Sequence, residues 1–202
     1  MNNEANKMKT RTWLSFPLLA LLPGLAVAHI GSDAGIHHGS AFFMGFVHPF
    51  TGLDHFAAML AVGVWSVLAT RQVWAMPFAF AALLLVGGLV GFTGAAVPAV
   101  EPMIAASLLV LGLLVCARVK MALPWGMAVV GLFAVFHGIA HGGELPAGQA
   151  VAALSGMVLG TMMLHVAGMG IGAFFKRRSA WYARALGGGI ALLGAGYLAG
   201  VL

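Results

Sequence analysis

The chain has 202 residues, of which 61% are hydrophobic and 7% charged, with a mean hydropathy of +1.01. A soluble domain carries about 25% charged residues, so this composition excludes an ordinary soluble globule and points to an all-α polytopic membrane protein whose solvent is the bilayer. The net charge of +5 and the pI near 10 do not indicate nucleic acid, because the basic residues form no polar face and do not interleave with aromatics, and the one cysteine, Cys116, allows neither an intrachain disulfide nor a thiolate metal site.

Residues 1–28 read as a signal peptide. Lys7, Lys9 and Arg11 form a positive start, Trp13 to Leu22 an apolar core, and Ala26-Val27-Ala28 a cleavage site before His29. Pro17, Pro23 and the short core make a poor membrane span. Residues 29–202 then form a single transmembrane domain. Six apolar stretches follow, over residues 39–69, 74–95, 99–117, 124–142, 147–175 and 182–202. Their connections alternate in sign: Arg71, then Glu101, then Arg118 and Lys120, then Glu144, then Lys176, Arg177 and Arg178 with Arg184. The positive-inside rule puts every basic connection in the cytoplasm. A cleaved signal delivers His29 outside and gives the same orientation, with both mature termini periplasmic.

Polar residues interrupt two of these stretches. The first contains HPFTGLDH, from His48 to His55. An Asp at the bilayer centre costs roughly 3 kcal/mol even on lenient insertion scales, and such groups usually face a cavity or a partner. On an unbroken helix His48 and His55 share a face two turns apart while Asp54 is rotated away. Pro49 and Gly52 predict a kink or a short unwound segment that turns Asp54 onto the same side. The fourth stretch contains FHGIAHGGE, from Phe136 to Glu144, with His137 and His141 one turn apart and Glu144 at the outer end. His165 stands alone in the fifth stretch, where a satisfied core histidine is the competing reading. Imidazole and carboxylate together suit a borderline divalent cation such as nickel, cobalt, zinc or copper(II). Most of the 12 methionines, including Met162 and Met163, read as flexible core filler. The glycines of the last two stretches, Gly156 and Gly160 among them, read as packing faces and leave a homo-oligomer open.

HPFTGLDHFAAMLAVGVW and FHGIAHGGE resemble the two motifs of the HupE/UreJ family of nickel permease-type accessory membrane proteins, and the resemblance extends over essentially the whole chain. It implies transition-metal uptake across the inner membrane, nickel usually and cobalt alternatively, on behalf of a hydrogenase or urease. The matching positions are His48, Asp54, His55, His137, His141 and Glu144. The metal is then a transported substrate, no cofactor is permanently bound, the protein is not an enzyme, and its partners are the divalent ion and the lipid bilayer.

The first motif lies on an inward-running span and the second on an outward-running one, so the chain also reads as two three-helix halves in a 3+3 inverted repeat. A path for the ion begins outside at His29, Asp33, His37 and His38, passes Glu101 and Glu144, which favour an entering cation, and reaches the motif histidines. The alternative is a membrane-embedded zinc-dependent hydrolase, in which clustered His and Asp activate water.

Overall fold

The computed structural model describes residues 38–145 and 147–202. Residues 1–28, expected to be a signal peptide, and His29, Asp33 and His37 lie outside the described residues. Seven α-helices are described: α1 (His38–Thr51), α2 (Leu53–Ala69), α3 (Ala75–Phe92), α4 (Val100–Cys116), α5 (Leu123–Glu144), α6 (Ala150–Lys176) and α7 (Ala180–Leu198). No strand occurs among the described residues.

The first apolar stretch is two helices, bent by 81° at Gly52. The cause is local. Pro49 lies inside α1, where it offers no N–H to the carbonyl of Gly45. Thr51 Oγ1 donates to the His48 carbonyl at 2.8 Å and satisfies it at the helix end. Gly52 is extended (φ −92, ψ 124), and α2 restarts at Leu53. A Cβ on residue 52 would lie 2.7 Å from Asp54 Oδ1 and 3.1 Å from His55 Nδ1. Glycine is needed there for space rather than for an unusual φ.

Helix packing runs through close backbone approach at other glycines. Gly156 and Gly160 of α6 face the carbonyls of Phe42 and Phe46 in α1, and Gly168 and Gly172 face those of Leu60 and Val64 in α2. Both halves of the bent pair therefore follow α6 in the same direction. Gly138 and Gly142 of α5 meet the carbonyls of Leu84 and Gly88 in α3, again a parallel pair. In α4 and α7 the order reverses, with Ala105 beside Gly194 and Cys116 beside Gly187, so these two run antiparallel. α2 lies at the centre, buried almost continuously from Ala57 to Leu68. Its Trp65 donates Nε1–H to the Val119 carbonyl at 2.9 Å, tying the core to the α4–α5 connection.

The outside of this bundle is apolar. Leu89, Leu132, Val151, Leu159 and Leu192 are all exposed, as expected where lipid rather than water is the neighbour. α3, α5 and α6 are each long and apolar enough to cross a membrane, and the bent pair passes as a fourth span. α4 has only 17 residues, about 26 Å of helix against a hydrocarbon core of about 30 Å. Exposed Trp74, Trp125 and Trp181 stand at the starts of α3, α5 and α7. The short connections and the helix directions bring these starts to one end of the bundle, beside Arg71, Lys120 and Arg178. Aromatic residues at a basic end mark a membrane interface.

The packing yields a direct expectation. A Cβ at Gly87 would collide with the Val135 carbonyl, whereas Gly188 has open space around it. Gly87→Ala is expected to destabilise the purified protein by about 1–3 kcal/mol and Gly188→Ala to leave it unchanged or slightly more stable. Thermal unfolding in detergent measures both, and equal melting temperatures for the two variants would contradict the packing.

Candidate functional site

The imidazoles of the two motifs meet in one place. α1 supplies His48 near its C-terminus, the first turn of α2 supplies Asp54 and His55, and the last two turns of α5 supply His137, His141 and Glu144. The 81° bend is what allows this. It lets one chain segment present His48 and His55 to α5 from two directions. Ring centroids of His141 lie 4.5 Å from His48 and 4.3 Å from His55, and His55 lies 5.0 Å from His137. The four rings thus form a file in the order His48, His141, His55, His137.

Hydrogen bonds decide which nitrogens are available. Asp54 Oδ1 accepts from the His55 backbone N–H and from His55 Nδ1–H, each at 2.8 Å. A carboxylate only accepts when ionised, so His55 donates from Nδ1, and its neutral ring presents Nε2 as a lone pair. Asp54 therefore orients its neighbour in the manner of a carboxylate behind a metal-binding histidine. In His137, Nδ1–H donates to the Phe133 carbonyl at 2.9 Å, which again leaves Nε2 bare. The Nε2 atoms of His55 and His137 and both ring nitrogens of His141 are buried without a hydrogen-bond partner. Leaving a buried polar atom unpaired costs about 1–3 kcal/mol each. A neutral His141 carries one N–H and one lone pair, so the three rings together offer three lone pairs side by side.

At the outer edge the site is already paired. His48 Nε2 lies 3.0 Å from Glu144 Oε2, with the His48 side chain 25% exposed and that of Glu144 63% exposed. Donor atoms of His48, His141 and Glu144 all lie within 4.8 Å of one another. Ligand atoms at about 2.1 Å from a single ion sit roughly 3–4 Å apart, so small side-chain movements close this trio on a cation. The proton shared by His48 and Glu144 is what the cation would displace.

A cavity of about 480 Å³ opens beside this edge. It is lined by Asp54, His55, Glu101 and Glu144, with Tyr197 of α7 and apolar residues of α4 and α7 completing the wall. Glu101 in the first turn of α4 thus stands with the two motif carboxylates, as its position in an acidic connection suggests. His165 does not join the file. It is fully buried on α6, its Nδ1–H donates to the Met59 carbonyl at 2.8 Å, and its ring contacts Phe80 rather than the motif imidazoles. His38 is the first residue of α1.

The HupE/UreJ protein family model matches residues 17–197. The chain belongs to the HupE/UreJ family. Protein HupE of Rhizobium leguminosarum bv. viciae is 42% identical over 182 residues, which cover 89% of this chain and 93% of that protein. No solved structure matches. Within this HupE/UreJ protein both motifs, the bent first stretch and most of the cavity lining fall inside the matched region. Two residues of the site are not signalled by the sequence. Tyr197 sits in a glycine-rich helix that reads as packing, and Phe80 is one phenylalanine among 13.

The site geometry predicts a metal-binding measurement. Cobalt(II) titrated into the purified protein should develop visible bands of nitrogen and oxygen coordination. His141→Ala removes a direct donor and Asp54→Asn releases His55, and each should weaken the affinity roughly 10- to 100-fold. Full affinity in both variants would mean that the imidazole file does not bind the ion.

Proposed function

We propose that this protein is an inner-membrane permease that takes up a divalent transition metal, nickel first and cobalt as the alternative, for a metalloenzyme such as a hydrogenase or urease. The observation that carries this reading is the file of four imidazoles, three of them with buried ring nitrogens that have no hydrogen-bond partner, beside a carboxylate-lined cavity. Carboxylates attract a hydrated dication. Neutral imidazoles then replace its waters one side at a time, and their borderline softness favours nickel and cobalt over magnesium or calcium. The ion is cargo, held loosely enough to move on, and the protein acts as a carrier rather than an enzyme.

The orientation follows from the same features. With the Trp- and Arg-bearing end in the cytoplasm, the cavity faces the periplasm, the bent α1–α2 pair counts as the first of six spans, and residues 1–28 are a cleaved signal ahead of one domain spanning residues 29–202. Membership of the HupE/UreJ family supports this assignment. The helix pairing supports a 3+3 inverted repeat. Exchanging the first three spans for the last three turns the parallel pair α1–α2 with α6 into the parallel pair α5 with α3, and returns the antiparallel pair α4 with α7 to itself. Both motif elements then meet at the repeat interface, where transporters of this design bind their substrates. The hydrolase alternative gains nothing from this arrangement, since the imidazoles stand in series between a cavity and the bundle core and not around one cleft.

The decisive experiment is uptake by the purified protein in liposomes, comparing nickel, cobalt, zinc and copper. Nickel or cobalt should accumulate, and Asp54→Asn or His55→Ala should reduce the rate by about tenfold or more. Normal accumulation by inserted protein carrying either substitution would refute the proposed path.

A further inference from the structure

Beyond the four motif imidazoles the bundle buries a fifth, His165, which neither motif contains. Its surroundings repeat those of His137. Each ring donates Nδ1–H to a backbone carbonyl, that of Phe133 for His137 and that of Met59 for His165, and each keeps a fully buried Nε2 with no partner. The two rings share one neighbour. Phe80 of α3, itself fully buried, lies 5.8 Å from His137 and 5.1 Å from His165, ring centre to ring centre.

The order in depth is consistent with a sequence of stations. α5 ends and α6 begins at the acidic end of the bundle, and α3 ends there too because it runs parallel to α5. At 1.5 Å of rise per residue, His141 lies about 5 Å and His137 about 10 Å below the end of α5, Phe80 about 18 Å below the end of α3, and His165 about 22 Å below the start of α6. His165 therefore stands one step further inward than His137, on the other side of an aromatic ring.

A purely structural role leaves part of this histidine unexplained. Anchoring α6 to the Met59 carbonyl uses Nδ1–H alone, and Nε2 is left buried with no hydrogen-bond partner. The surplus is a lone pair aligned with none of the protein's own donors. Close by, Met59 also receives the Thr161 hydroxyl on its sulfur at 3.4 Å, one turn of α6 from His165. The surroundings thus include a soft sulfur and a hydroxyl oxygen as well as the imidazole.

Resting on the permease reading above, we propose that His165 Nε2 is a metal ligand of an inner relay station, which receives the divalent ion from His137 past the Phe80 ring. The ring separates the two stations and offers its π-face to a passing cation. An ion leaving the outer file would otherwise enter an apolar core with no ligand to exchange for.

The test uses His165→Asn in the full chain, because the asparagine amide keeps the donor to Met59 while deleting Nε2. Wild-type protein and variant are compared by cobalt affinity in detergent and by nickel uptake in liposomes. The relay predicts cobalt affinity within about twofold of wild type, an unchanged half-saturating nickel concentration, and a maximal uptake rate reduced roughly tenfold or more. His165→Cys, which restores a soft ligand, should recover part of the rate for cobalt. A maximal rate within about twofold of wild type in His165→Asn overturns the relay, and so does a parallel loss of affinity and rate, which assigns His165 to the structure alone. Failure of the wild-type protein to carry any of the metals overturns the permease reading instead, and it is seen before any variant is made.

Discussion

Helix backbones come into direct contact where one of the two helices carries no side chain at the crossing, and this bundle depends on that constraint. Glycines of α5 lie against carbonyls of α3, and glycines of α6 against carbonyls of α1 and α2. Such contacts suit a bilayer, where apolar burial gives no preference for helix over lipid and packing must come from close approach. Their consequence is positional. With α5 clamped to α3 and the bent pair clamped to α6, the two motif segments are held opposite one another without being closely packed helices themselves. The space between them is bridged by imidazole rings.

Within that space the chemistry is set by the partners of the histidines as much as by the histidines. Asp54 and the carbonyls of Phe133 and Met59 each accept an Nδ1–H, so three rings are fixed in one tautomer. Each then directs a lone pair, not a proton, into the interior. A carbonyl already inside its helix tolerates a second donor, which makes this an inexpensive way to hold a neutral imidazole in an apolar core. The arrangement repels nothing and attracts cations, and it satisfies the requirement that polar groups at membrane depth serve a partner or a path.

The bundle is also polar along its axis. Glu101, Glu144 and Asp54 line a cavity at one end, while Arg71, Lys120 and the Lys176–Arg178 run gather at the other with three exposed tryptophans. A dication approaching the acidic end meets a falling potential and then a series of ligands of lower charge. Electrostatic attraction for a cation is therefore strongest at the carboxylate-lined end and weaker among the neutral rings.

The sequence by itself determined that the protein is helical and membrane-bound, where most of its helices fall, and which two apolar stretches hold clustered histidines and carboxylates. The apolar runs predict α3, α4, α5, α6 and α7 to within a few residues at each end, because hydropathy and length are local properties. HPFTGLDH and FHGIAHGGE are legible because histidine and aspartate are costly in apolar runs, and Pro49 with Gly52 marks the break. Only the tertiary structure decided the rest. The size of the bend, 81°, and the hydrogen bond by which Asp54 orients His55 are local but conformational, whereas the pairing of His48 with Glu144 and the entry of Tyr197 and Phe80 into the site depend on distances between residues far apart in the chain. A one-dimensional pattern records which side chains are out of place in lipid. Which nitrogen keeps its proton, and which lone pair is left facing the interior, depends on the carbonyl or carboxylate the fold brings to it.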